Sequence, residues 1–474
     1  MDRRQFLERS AMLAGAMCLD WNGFAESVKE MGKPKLRIGI LSDIHLTDAD
    51  SADVLQHAFE YYRSQNVDGI IIAGDMADWG EDFQLQYIAE AWRKVFPNDR
   101  GLKGQHVEKL FIYGNHDKLF WNRKRTKDNV PDEEYRRAQA IGLHPAESWQ
   151  RYFGEEYKPI WMKQVKGYVF IGAHYQDNST IKGLDSFLSS VDKKLKKQKP
   201  FFYIQHMHPK GTCSAPWTWG QDNGQVTKIL SQYPNCISFS GHSHTSLTDE
   251  RTLWQGTFTS IGTGSLKYII PFGGRENTVV FASKEKLPSQ MPIMQCKDGK
   301  QGQLMTVYRN YITLERREFV YDQSLGDNWV IPLPLHSNGD SLSFASRAQV
   351  AKLPNFVKDD KVSITRAKGK DRYGVEQEQL TVHFPSVLRR RGGVRAFDYE
   401  VQALVAVRDI EQVVCTKRVF SRGYYLGEAQ DQQEVLCVFG VSELPAKQKV
   451  RFVVRPVECF GGKGEPISSN WIKI

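Results

Sequence analysis

Aspartate, histidine and asparagine recur in five short clusters of this 474-residue chain. In order they are Asp43-Ile44-His45, Gly74-Asp75-Met76-Ala77-Asp78, Gly114-Asn115-His116-Asp117, Gln205-His206-Met207-His208-Pro209 and Gly241-His242-Ser243-His244. Carboxylates and imidazoles joined by one amide oxygen suit borderline or hard divalent cations such as manganese, iron or zinc. A cation held there attracts an anionic group and stabilises charge that develops on it.

The clusters need elements to bring them together. Short apolar runs over residues 36–41, 69–73, 110–113, 201–205 and 236–239 read as strands, and each is followed directly by one cluster. A further strand is expected over 168–173, and helices over 52–64, 83–95, 184–196 and 226–232. Strand–helix alternation through the first 115 residues argues for a parallel sheet. In open α/β sheets ligands gather at the carboxyl ends of the strands, so the clusters should converge on one rim. Beyond Arg251 no helix is expected, and residues 303–308 and 311–319 read as strands.

The ordered set D-x-H, G-D-x-x-D, G-N-H-D, H and G-H-x-H resembles the calcineurin-like metallophosphoesterase family over about residues 36–250. The resemblance implies a four-layer α/β/β/α sandwich and hydrolysis of phosphate esters by a metal-bridging hydroxide. It implies two divalent metal ions, Mn, Fe, Zn or a mixed pair. Asp43, His45 and His244 would hold one, Asn115, His206 and His242 the other, and Asp75 would bridge them. His116 would assist the leaving group, and Asp78 would orient His116. The family often has histidine two positions before the proline of its fourth cluster, where this chain has Met207. His206, first off the strand, is therefore the expected ligand, and His208 is expected behind it or against substrate.

A boundary is expected at Ile331-Pro332-Leu333-Pro334-Leu335. Beyond it Phe397, Tyr399, Val401 and Ala403 alternate with polar residues, the period of a half-buried strand. Several such runs suggest an all-β sandwich, and the segment from Val450 to Trp471 resembles the last strands of a fibronectin type III module. The expected division is 1–32 leader and linker, 33–340 catalytic domain, and 341–474 sandwich. The opening Arg3-Arg4-Gln5-Phe6-Leu7, followed by an apolar run, resembles a bacterial twin-arginine export signal and implies a periplasmic or cell-surface location.

The seven cysteines include no Cys-x-x-Cys pair, which argues against a thiolate zinc site. Cys415 and Cys437 lie on neighbouring expected strands and could be bridged, although buried free thiols are the more common outcome. His174 reads as a structural histidine. Trp217, Trp219 and the basic run Arg123-Lys124-Arg125 are as well explained by packing and solvation as by substrate contact, and Arg389-Arg390-Arg391 reads as a surface turn. A net charge of +9 is modest for a nucleic-acid binder. The expected partner is a phosphorylated small molecule, with no nucleic acid favoured and no integral membrane association. The alternatives are a nuclease of the same superfamily, or a catalytically minor surface-binding protein.

Overall fold

The computed structural model describes residues 32–118, 145–176, 180–195, 199–213, 220–270, 299–336, 339–371, 374–387, 395–408, 410–421 and 434–474. The export-like leader, residues 121–125, both loop tryptophans and residues 389–391 lie outside these segments.

Strand β1 (Leu36–Leu41) is followed by α1 (Ala49–Ser64), β2 (Gly69–Ala73), α2 (Asp82–Val95), β3 (Glu108–Ile112) and α3 (Pro145–Phe153). Helix α1 starts at Asp48, whose carboxylate accepts the Ser51 N–H and satisfies a backbone donor that the helix leaves free. Its buried residues Leu55, Ala58, Phe59 and Tyr62 follow helical spacing. The three strands run parallel. Much later in the chain β10 (Gln301–Val307) joins β1 antiparallel, and β11 (Tyr311–Glu318), β12 (Gln323–Ser324) and β13 (Trp329–Pro332) extend the same sheet.

A second sheet combines β4 (Ile160–Val165), β5 (Tyr168–Ala173), β6 (Phe201–Ile204), β7 (Cys236–Ser240), β8 (Leu253–Gln255) and β9 (Thr259–Gly262). Helices α4 (Leu184–Leu195) and α5 (Gln225–Leu230) intervene. Strands β5, β6, β7 and β9 are parallel.

The strand period of two sorts side chains into three cores. Ile71 of β2 joins Ile40, Ile112, Phe202, Ile204 and Phe239 between the sheets. Ile70 and Ile72 face α1 and α2, packing with Phe59 and Trp92. On the far side Phe201 and Tyr203 pack with Leu184, Leu188 and Leu230. Each buried branched or aromatic side chain contributes about 1.5–3 kcal/mol relative to exposure. The result is the α/β/β/α order that the motifs implied.

The C-terminal region is a β-sandwich. One sheet holds β14 (Ser363–Lys370), β15 (Glu376–Pro385) and β18 (Glu434–Gly440). The other holds β17 (Ile410–Phe420), β16 (Asp398–Val407), β19 (Lys449–Val457), β20 (Ile467–Ser468) and β21 (Ile472–Lys473). Val382, Phe384, Tyr399, Val401, Phe439 and Phe452 fill the space between them.

Two expectations need correction, and the more common outcome holds for the cysteines. Helix does not end at Arg251, because α6 (Phe344–Val350), capped by Ser343, lies between the two regions. Strands β4, β8, β9 and β14 were not legible as strands. Cys415 and Cys437 are free thiols on strands of different sheets.

Candidate metal centre

Each cluster occupies the turn that leaves a strand, and the turns are laced together by their backbones. The N–H groups of Asp43, Ile44 and Leu46 donate to the carbonyls of Gly74, Asp75 and Met76. The buried Asp117 carboxylate accepts from Ala77 and from Gly114, each at 2.7 Å, and so joins the second turn to the third. Gly241 N–H donates to the His206 carbonyl at 2.9 Å. His242 N–H donates to the Asp43 carboxylate at 3.0 Å. A side chain at Gly241 would put its Cβ 2.3 Å from Asp43 Oδ2, so this approach requires glycine.

Asp43, His45, Asp75, His242 and His244 all adopt positive φ, between 41° and 67°. Non-glycine residues enter this region at a cost, and such strain persists only where the surroundings over-determine it. Here it turns each side chain inward at the end of its strand.

The side chains form two adjoining groups. In one, His244 Nε2 lies 3.2 Å from Asp43 Oδ1 and 3.2 Å from His45 Nε2. In the other, His206 Nε2 lies 3.0 Å from Asp75 Oδ2 and 3.2 Å from His242 Nδ1. The outward nitrogens decide the tautomers. His244 Nδ1–H donates to the Tyr268 carbonyl at 3.0 Å, and His206 Nδ1–H to the Ala73 carbonyl at 2.8 Å. His45 Nδ1 donates to the Asp78 carboxylate at 3.0 Å. His45 and His244 therefore turn Nε2 inward toward each other, an arrangement that suits a shared cation.

An oxygen supports the same conclusion. Asn115 Oδ1 is buried and accepts no hydrogen bond, although a buried acceptor left unsatisfied costs about 1–3 kcal/mol. Imidazole nitrogens locked by a carbonyl or carboxylate behind them, with carboxylate and amide oxygens beside them, fit divalent metal ions.

Burial alone would push the Asp43 and Asp75 carboxyls up, but the imidazoles outweigh it. His244 and His206 hold Asp43 at about 2, and His206, His45 and His116 hold Asp75 below the usual carboxylate range. Burial lowers His45, only partly offset by its bond to Asp78, and burial together with the His206 charge takes His242 to about 3. For His206, burial is overcome by Asp75, which raises it to about 9. Asp43 and Asp75 thus stay ionised among imidazole nitrogens, a donor set that suits a cation.

Residues 36–246 match the family model of calcineurin-like phosphoesterases. Over these residues the chain is similar to that family. Among solved structures, a dimetal phosphatase from Danio rerio is 11% identical, with 64% of this chain and 100% of that chain covered and a TM-score of 0.37. A purple acid phosphatase from yellow lupin (Lupinus luteus) seeds is 14% identical, covering 64% of this chain and 55% of that chain, with a TM-score of 0.37. GAP50, the anchor in the inner membrane complex of Plasmodium, is 11% identical, covering 64% and 90% respectively, with a TM-score of 0.36. No curated protein matches the sequence.

Within this site, the geometry separates residues that the sequence left together. His206 enters the inner group, whereas His208, also buried, directs Nε2 to the Ser243 hydroxyl at 2.8 Å. The Asp78 carboxylate binds His45, not His116; His116 Nδ1–H donates instead to the Asp78 backbone carbonyl at 2.8 Å. The expected role of the Asp78 side chain in orienting His116 is corrected accordingly, because the ring that its carboxylate aligns is His45. His174 is fully buried, accepts the Tyr113 N–H at 2.9 Å and packs edge-on to Trp149, a structural placement.

Sequence reasoning missed Tyr268 and Lys267. The Tyr268 ring stacks on His244 with centroids 4.3 Å apart, and the Lys267 ammonium donates to the Thr47 hydroxyl at 3.2 Å. Neither belongs to a cluster, and no signal in the sequence marked them.

Proposed function

We propose that this domain hydrolyses esters of phosphorylated small molecules with two divalent metal ions, drawn from Mn, Fe and Zn. Asp43, His45 and His244 hold one ion, Asn115, His206 and His242 the other, and Asp75 serves both. The observation that carries this reading is the pair of inward imidazole Nε2 atoms 3.2 Å apart, with the buried Asp75 carboxylate and the unsatisfied Asn115 Oδ1 beside them. When bound, such a pair neutralises phosphate charge and lowers the pKa of water enough to give hydroxide near neutral pH.

The protein's own groups do the rest. Asp78, through Nδ1 of His45, keeps that ring's other nitrogen turned inward. The Asp78 carbonyl accepts a hydrogen bond from His116 Nδ1–H, which leaves Nε2 to face the reacting group. Protonated there, His116 donates to the departing oxygen or stabilises its charge. The His116 backbone N–H, 2.8 Å from Asp75 Oδ1, holds that carboxylate so that Oδ2 faces the cluster.

The test is metal analysis together with hydrolysis of nitrophenyl phosphate and bis(nitrophenyl) phosphate. Turnover that survives complete metal removal, or protein that takes up no divalent metal after resupply, would overturn the reading. We further propose export by the twin-arginine route, supported by Arg3-Arg4 and the following apolar run, and tested by fractionation of an Arg3→Lys, Arg4→Lys variant. We read residues 33–340 as catalytic and 341–474 as a fibronectin type III-like module, a reading supported by its two-sheet strand order.

A further inference from the structure

The segment that carries His242 and His244 continues through Leu247 into a short 3-10 turn, Glu250–Thr252. That turn is the meeting point of three distant parts of the chain. Glu250 Oε1 accepts from Arg316 of β11 at 2.8 Å, and Oε2 accepts from the Trp329 indole of β13 at 2.8 Å and from Arg347 of α6 at 2.5 Å. The same Arg316 guanidinium donates to the Leu247 carbonyl at 3.0 Å, between Glu250 and the histidines. Arg347 also donates to the Leu253 carbonyl at 2.7 Å.

The C-terminal sandwich closes over this network with aromatic side chains. Arg251 is 1% exposed, paired with Asp249, and its guanidinium carbon lies 5.1 Å from the ring centre of Phe397. Arg347 lies 5.5 Å from the ring centre of Phe460. Phe397 and Phe460 belong to one apolar cluster of the sandwich. Guanidinium planes against aromatic faces are attractive contacts, and they gain strength away from water. Breaking these contacts would bare aromatic surface on one side and loosen the partners of Glu250 on the other.

We infer that the C-terminal sandwich braces the metal centre. Docked through Phe397 and Phe460 onto Arg251 and Arg347, it fixes the 250–252 turn and with it the strained His242–His244 segment. Glu250 and Arg251 are positioning residues in this scheme, since neither touches the inner group. The inference rests on the reading of that group as a metal centre. It predicts that loosening the interface weakens metal retention while leaving the chemistry intact once metal is in excess.

The experiment uses the full chain and the variants Glu250→Gln and Phe397→Leu. Dissociation constants for Mn²⁺ and Zn²⁺ are measured by chelator competition, well below the melting temperature, alongside kcat at saturating metal. The expected result is a rise in the dissociation constant of at least about tenfold, the lower end of what loss of a metal site's supporting contacts costs, with kcat changed little. A general loss of stability would lower the melting temperature without moving metal affinity at 20 °C, and wild-type-like affinity in both variants overturns the brace. If Phe397→Leu does not fold, Glu250→Gln decides alone. Wild-type protein that binds neither metal overturns the metal-centre reading, and the brace with it.

Discussion

Asp75 offers its two oxygens to different neighbours: Oδ1 accepts the His116 N–H at 2.8 Å, whereas Oδ2 faces His206 Nε2 at 3.0 Å. Asp75→Asn should therefore abolish turnover and empty both metal positions, as elemental analysis would register. His116→Asn should keep its metal and slow the reaction by about 10²–10⁴, with the smaller loss on nitrophenyl esters, whose leaving groups need no proton. Equal losses on nitrophenyl and alkyl esters would remove His116 from the acid role. His206 supplies a pH prediction. Its partner Asp75 raises it to about 9, so at pH 7 the metal-free ring carries a proton that a metal must displace. Binding at pH 7 should release about one proton from this site, and affinity should climb with pH until it levels near 9. Titration calorimetry in buffers of different ionisation enthalpy measures this directly, and enthalpies independent of buffer would contradict it. The donors were legible because their residue types and short spacings survive in one dimension. The hydrogen bond from His45 to Asp78 spans 33 positions and that from His244 to the Tyr268 carbonyl spans 24, so partners brought in by other turns left no local trace.

At the scale of elements, the site depends on turns that only certain residues can make. Gly74 sits at φ +92°, and a Cβ there would lie 2.5 Å from His206 Nδ1 and 2.8 Å from the Gly114 Cα. Gly74→Ala should cost more than about 1 kcal/mol in chemical denaturation and should release metal, because both backbone and imidazole must move. A variant of wild-type stability would show that the turn has more freedom than these distances allow. The parallel strands were readable because strands buried on both faces appear as uninterrupted apolar runs, as Gly69–Ala73 does. Others escaped for identifiable reasons. Strand β8 has three residues, and β14 is an exposed edge whose Arg366, Lys368 and Lys370 mask any alternation. Edge strands commonly carry such charges, which discourage pairing with other chains. Helix α6, seven residues long, is held by Arg347 through Glu250, a tertiary contact rather than a periodic pattern.

For the whole molecule, metal ions that bind only the folded chain should stabilise it by mass action. A hundredfold excess over the dissociation constant is worth about 2.7 kcal/mol per site, or a rise in Tm of about 5–10 °C for a domain of this size class. Calorimetry with and without a chelator tests this, and identical melting curves would count against native-state binding. No helix among the described residues is long and apolar enough to cross a membrane. The two-region architecture was legible from the loss of strand–helix alternation, but the contact between the regions was not, because Arg251 and Phe397 meet only in three dimensions. The late strand β10 has a further consequence. It pairs along β1 from Leu36↔Val307 to Ile40↔Gln303, while the Gln301 side-chain carbonyl accepts the Leu247 N–H at 2.7 Å. All five clusters are therefore synthesised before the strand that flanks the first of them exists. A nascent chain paused after residue 246 would hold every ligand yet present β1 as an open edge, with Leu247 not yet anchored. A recombinant fragment cut after residue 246 would leave that edge of β1 unpaired and should therefore aggregate, which size-exclusion chromatography would register.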